Sequence, residues 1–146
     1  MGRFGQKTGA GWYDYKKGDR QAYPSAIVAG VIDEVRKAAG RPVRKLTDAE
    51  IVDRLVYALV NEGARILDEK IAQRASDIDL VYLMGYGFPI WRGGPMHYAE
   101  SQKLYEVARR MRQFGVQEGG DADFWKPAAL IARLATDNRS FNGGAA

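Results

Sequence analysis

Apolar positions recur at helical spacing in five stretches of the chain, separated by glycine- and proline-marked breaks. Pro24-Ser25 opens the first, in which Ile27, Val28, Val31, Ile32 and Val35 form one stripe, closed by Gly40 and Pro42. Thr47-Asp48-Ala49-Glu50 is a capping box, the Thr oxygen accepting from the Glu50 N–H and Glu50 reaching back. Behind it Ile51, Leu55, Leu59, Glu62, Ile66 and Leu67 predict a helix running to Glu69, about 34 Å long, with Glu62 a polar intruder in an apolar stripe. Ser76-Asp77-Ile78-Asp79 caps a short third helix carrying Leu80, Val81 and Leu83 and ending at Gly85. A loop follows, Gly85 to Gly94, and Pro95 suits the first turn of a fourth helix from Met96 to about Phe114, with Leu104, Val107, Ala108 and Met111 inward. Gly119-Gly120 reads as a linker, and Pro127 opens a fifth helix containing Leu130, Ile131 and Leu134.

The first 23 residues differ. Glycines at 2, 5, 9, 11 and 18 punctuate them, and Trp12, Tyr13, Tyr15 and Tyr23 supply aromatic rings, so turns around a short extended segment at Gly11–Tyr15 are expected. This stretch has no apolar face of its own and is expected to pack on something else. The fold class is therefore all-α: a helical, bundle-like domain at 24–142, an extended Gly/Tyr-rich segment at 1–23, and a tail at 143–146 expected to be disordered.

Composition narrows the function classes. At 146 residues, 46% hydrophobic and 27% charged, the chain has the balance of a globular domain, and no apolar run approaches the ~20 residues of a membrane span. With no cysteine, disulfides and thiolate chemistry are excluded. With no apolar signal segment after Met1 either, a cytoplasmic location is expected. The net charge of +4 comes from 22 basic and 18 acidic residues that read as spread along the chain, as in Arg41/Arg44/Lys45 and Arg109/Arg110/Arg112. A nucleic-acid binder concentrates such charge among aromatics, so nucleic acid is not expected as a partner; a mild attraction for anions such as a phosphorylated cofactor fits equally well.

Few residues carry obvious chemistry. Gly85-x-Gly87 and Gly93-Gly94 suggest a phosphate cradle superficially, but a helix precedes them where a dinucleotide fingerprint needs a strand, so sharp turning and close packing is the better reading. His97, the only histidine, stands three residues before Glu100 but has no identifiable orienting partner, which favours a packed or surface role over general-base catalysis. One histidine and no cysteine leave no transition-metal set, and Asp77 and Asp79 point to different helix faces. Arg92, Asp79 and Glu62 all lie in or beside apolar stretches. A buried Arg needs a carboxylate, so Arg92 is expected to pair with Glu62 or Asp79 and fasten the glycine loop to the helices.

At this point a family becomes recognisable. Ile51-Val52-Asp53-Arg54, Val60-Asn61-Glu62-Gly63-Ala64-Arg65-Ile66-Leu67-Asp68-Glu69, Ala75-Ser76-Asp77-Ile78-Asp79 and Tyr86-Gly87-Phe88-Pro89-Ile90-Trp91-Arg92-Gly93-Gly94-Pro95 resemble the C-terminal helical domain of 3-hydroxyacyl-CoA dehydrogenases. The last string resembles specifically the second copy of that domain in multifunctional fatty-acid β-oxidation enzymes, which join it to a hydratase and an NAD-binding domain. The segment Gly5–Tyr15 is similar to the end of the first copy.

The resemblance implies a 3-hydroxyacyl-CoA dehydrogenase in the intact enzyme, with NAD held by another domain whose His–Glu pair moves the proton; this chain itself is expected to bind no cofactor and to contain no catalytic residue. Where the catalytic copy carries Asn before Arg, this chain has Asp53 before Arg54, an acid that would repel an anionic enolate. A second departure follows Pro95: Lys103 stands where the family often has glycine. Glu62, Asp79, Gly85, Gly87, Pro89, Arg92, Gly93, Gly94 and Pro95 are then expected to form a structural motif and interface toward the NAD-binding, first C-terminal and hydratase domains. Two other readings stay open: an enzyme using His97 and Glu100, and a free-standing acyl-CoA-binding or dimerisation module.

Overall fold

A computed structural model describes residues 1–143; the expected tail lies, beyond Gly143, outside the described residues. The chain divides into two compact units, Met1–Arg44 and Lys45 onward. The break between them falls after the first helix.

In the first unit, β1 (Tyr13–Asp14) pairs antiparallel with β2 (Tyr23–Pro24), placing extended backbone within the expected Gly11–Tyr15 stretch. Arg3 ties the turns together: it donates to the Gly11 carbonyl at 3.0 Å, to Asp14 at 2.5 Å and to Ser25 Oγ at 2.9 Å. Hydrogen bonding to the Asp14 carboxyl by Arg3 first, and by Ser25 second, holds it below its usual range. Helix α1 (Ala26–Ala38) follows, with no buried residue; Ile27, Ile32 and Val35 are exposed. Ser25 is the one buried residue of this unit, so the unit has no apolar core of its own.

The second unit holds the core. Thr47 caps α2 (Asp48–Asp68), its side chain accepting from the Glu50 N–H at 3.2 Å, while Glu50 engages Arg54 at 3.0 Å. The buried stripe of α2 is Asp53, Val56, Tyr57, Val60, Asn61, Gly63 and Ala64. This corrects the expected stripe: Ile51 and Leu55 are exposed, and so is Glu62, which pairs with Arg65 at 3.0 Å. The helix carries two apolar faces, and the core takes the one studded with small and polar residues.

Helix α3 (Ala75–Gly85) starts ahead of the expected Ser76 cap, with the Asp77 carboxylate accepting from the Arg74 N–H at 3.1 Å and from its guanidinium at 2.7 Å. It buries Ala75, Ile78 and Asp79, whereas Leu80 and Val81 point outward. The single helix expected from Met96 to Phe114 is two: α4 (Pro95–Ser101) and α5 (Leu104–Val116). Lys103 sits between them at φ 64°, a left-handed conformation that interrupts the hydrogen-bond ladder. Gly119-Gly120 is a packed turn and no spacer, since a Cβ on Gly120 would stand 2.3 Å from the Phe114 carbonyl oxygen. Helix α6 (Ala129–Thr136) contributes buried Ile131 and Leu134.

Helices α2, α4, α5 and α6 surround one core of Val56, Tyr57, Val60, Met96, Leu104, Val107, Met111, Phe114, Trp125 and Ile131. The Asn61 amide locks the entry to α6: it accepts from the Ala128 N–H at 2.7 Å and donates to the Lys126 carbonyl at 3.0 Å. Burial pushes the Tyr57 hydroxyl up to about 12. No helix among the described residues is long and apolar enough to cross a membrane.

Two substitutions separate the faces of the helices. Ile131→Ala, at a fully buried position, lowers unfolding stability by about 2–5 kcal/mol. Leu55→Ala, 65% exposed, changes it by less than about 0.5 kcal/mol. Urea unfolding followed by far-UV circular dichroism reads both, and equal losses would place Leu55 in the core.

Candidate functional site

Of the expected motif residues, Asp79, Gly93, Gly94 and Pro95 meet at the start of α4. Asp79, only 8% exposed on α3, accepts from the Met96 N–H at 2.7 Å and the His97 N–H at 3.1 Å. Those are free donors of the first turn of α4, so a side chain from another helix supplies the cap that Gly94, at the cap position, cannot. A carboxylate there also meets the positive end of the helix dipole. Burial raises the Asp79 carboxyl above its usual range, and the two N–H bonds oppose that shift without cancelling it.

Backbone geometry makes room for the carboxylate. Gly94 has φ 102°, and a Cβ on it would stand 2.4 Å from both Cβ and Oδ1 of Asp79. At Gly93, φ 73°, a Cβ would stand 2.4 Å from the His97 ring. Pro95 occupies the first helical position and is buried. The glycine pair is thus a close-approach device, as expected. Gly85 and Gly87 are different: added Cβ atoms there meet open space, and only Gly87, at φ 70°, needs its glycine for a turn.

Arg92 departs from expectation. It pairs with neither Glu62 nor Asp79; its guanidinium lies over the Trp91 ring at 4.4 Å and the Tyr98 ring at 4.9 Å, half-buried. Two aromatic faces stabilise the cation where a carboxylate was expected, because Asp79 is already engaged with backbone donors. Pro89 and the single 3-10 turn Ile90–Arg92 lift the loop outward, leaving Ile90 80% and Trp91 78% exposed. With Leu80, Val81, Met84 and Tyr86, also exposed, they form an apolar surface on α3 and its following loop.

The same geometry answers whether the glycine loop could hold a dinucleotide. A phosphate would need the N–H groups at the start of α4, and Asp79 holds them. The loop does not fit such a cofactor. His97 is exposed, its ring against Gly93 and its N–H given to Asp79, and Glu100 lies near Asn142 at 3.3 Å; they form no pair.

Sequence reasoning missed the role of one acid and one amide. Asp53, buried on α2, forms an ion pair with Arg110 of α5, so the acid that departs from the catalytic pattern is engaged in helix packing. Beside it Arg54 stacks over Phe114 at 4.2 Å and bonds Gln117 at 2.5 Å. Asn61 holds the α6 entry as described. The signal was spacing: Asp53 stands three and four residues before Val56 and Tyr57, and Asn61 four residues after Tyr57, visible once the other face of α2 is set aside.

Fold and clamp together define an all-helical unit with exposed apolar residues on α3 and its following loop, and the comparisons with known proteins say what it is similar to. No protein-family model matches the chain. It is 50% identical over 135 residues to the peroxisomal bifunctional enzyme of Danio rerio, with 92% of this chain and 19% of that protein covered. Against the peroxisomal bifunctional enzyme of Homo sapiens the identity is 38% over 93% of the chain and 19% of the relative. With the glyoxysomal fatty acid beta-oxidation multifunctional protein of Cucumis sativus it is 34% over 94% of the chain, again 19% of the relative. The chain is homologous to one stretch of the multifunctional fatty-acid β-oxidation enzymes, as the motifs indicated, and spans about a fifth of the length of these relatives. The relatives are peroxisomal or glyoxysomal, which overturns the expected cytoplasmic location. That expectation rested on composition and a missing apolar leader, whereas organelle addresses of this kind are receptor-read signals that composition does not report.

The Asp79 cap makes two predictions for stability. Asp79→Ala lowers it by about 1–2 kcal/mol, and Asp79→Asn, which keeps one acceptor, by less. Because burial holds the Asp79 pKa above its unfolded value of 3.8, the folded state binds that proton more tightly than the unfolded chain. The wild type therefore gains stability relative to Asp79→Asn as pH falls through the raised pKa, with the gain complete below the unfolded value. Thermal melts of both proteins between neutral and acid pH check this, and a difference that moves the opposite way would mean the hydrogen bonds outweigh burial.

Proposed function

We propose that this chain is a non-catalytic packing module of a peroxisomal multifunctional β-oxidation enzyme, in which NAD-dependent oxidation of 3-hydroxyacyl-CoA to 3-ketoacyl-CoA is carried out by other domains. The observation that carries the reading is the apolar surface of Leu80, Val81, Met84, Tyr86, Ile90 and Trp91, held by a buried clamp. Exposed aromatics around a stacked arginine have the composition of an interface centre. The relatives are about five times longer than the matched stretch, so further domains of the same enzyme are at hand to cover it.

Two further observations support a structural role. The Asp53 carboxylate is engaged with Arg110, and that pair lies between α2 and α5. The Met1–Arg44 unit has exposed apolar residues on α1 and no core, which suits a segment that packs on a neighbouring domain. On this reading NAD and the acid–base pair belong to the rest of the enzyme, and the chain contributes position. No observation favours the enzyme built on His97 and Glu100.

Acetoacetyl-CoA-dependent oxidation of NADH by this chain alone, at high protein concentration, is expected to show no turnover above the protein-free rate. Added to a relative's enzyme lacking the corresponding stretch, the chain is expected to raise that enzyme's melting temperature, and Trp91→Asp to abolish the effect while the variant itself stays folded. Clear turnover by the isolated chain, or a melting temperature indifferent to Trp91, contradicts the proposal.

A further inference from the structure

The positive charge of this protein is not spread evenly once the two units are known. Residues 1–44 carry nine basic and four acidic side chains; residues 45–146 carry thirteen basic and fourteen acidic. The whole excess of the chain therefore belongs to the smaller unit. Within it, Arg3 is engaged with Asp14 and Arg36 with Asp33.

Four of the other cations gather at one place. A cleft of about 550 Å³ lies within the first unit, lined by Lys7, Tyr15, Lys16, Lys17, Asp19 and Arg20, with Gly9 and Gly18 in its turns. Its single acid is already committed: Asp19 accepts from the Gln21 N–H at 2.9 Å and the Tyr23 hydroxyl at 2.8 Å. Lys16 lies over the Tyr23 ring at 4.4 Å, while no carboxylate partners Lys7, Lys17 or Arg20 among the described residues. Four cations against one hydrogen-bonded acid leave a concentrated positive field in a concave space, which focuses anions. The volume lies in the range of small-ligand sites.

We propose that this cleft binds a small ligand carrying two or more phosphate groups, such as the nucleotide end of a coenzyme. Lys7, Lys17 and Arg20 meet the phosphates and the Tyr15 ring offers an apolar wall. The site lies within the first unit and does not depend on the packing role proposed for the other.

Isothermal titration of the 146-residue chain at low salt tests it, with coenzyme A, inorganic pyrophosphate and adenosine as probes. Coenzyme A is expected to bind and adenosine not to. Pyrophosphate binding as well assigns recognition to the phosphates alone, whereas its failure alongside coenzyme A binding adds the nucleoside to what is recognised. Raising NaCl through the physiological range is expected to weaken binding on the order of tenfold. The double variant Lys17→Glu/Arg20→Glu loses binding at least about tenfold, with circular dichroism unchanged, and Arg112→Glu, which removes the same kind of charge from the other unit, changes it little. Equal weakening by Arg112→Glu, or no heat from either phosphate probe, overturns the site.

Discussion

The Asp79 carboxylate, buried against the first free N–H groups of α4, is what the geometry of the glycine loop depends on. An uncapped helix start facing a neighbouring helix would leave donors without partners, each costly when buried. A cap from within α4 is impossible because Gly94 has no side chain, and Gly94 has none because Asp79 fills that space. The two residues fix each other. Once the pair is set, the chain entering α4 must pass close over α3, and the preceding Ile90–Arg92 turn is thrown outward with Trp91 at its crest.

That constraint explains why an arginine in an apolar motif ends with aromatic partners. The only buried acid near the loop is engaged with backbone donors, so the Arg92 cation rests on Trp91 and Tyr98. A planar, delocalised guanidinium suits such stacking on aromatic faces. Cap, glycine pair and stacked cation together set the path of the loop that exposes Ile90 and Trp91, which is what the proposed packing role would use.

Much of the helical layout was legible in the sequence, because Thr47, Pro95 and Pro127 mark helix starts through local chemistry that tertiary packing did not override. The burial of α2 was not. Ile51, Leu55 and Leu59 outcompeted Val56, Tyr57, Val60 and Ala64 as the apparent inner stripe, because hydrophobicity alone cannot tell which of two apolar faces meets the core. The same ambiguity hid the outward Leu80 and Val81. Asp79 was grouped with Arg92 and Glu62, but which group Asp79 serves depends on a contact seventeen residues away that no local pattern encodes. Lys103 broke a helix that apolar periodicity had carried straight through, since a positive φ at lysine has no compositional signal. The charge partition became visible only once the boundary at Arg44 was known.

Amide hydrogen exchange at Met96 and His97 tests the central interaction most directly, because both N–H groups sit in the first turn of a helix, where an uncapped donor exchanges freely. Both amides are predicted to be strongly protected in the wild type. In Asp79→Ala their protection should fall together with that of the 86–94 loop, while Tyr57 and Val60 in the core keep theirs. Rapid exchange of Met96 and His97 in the wild type, or protection untouched by Asp79→Ala, would contradict the account.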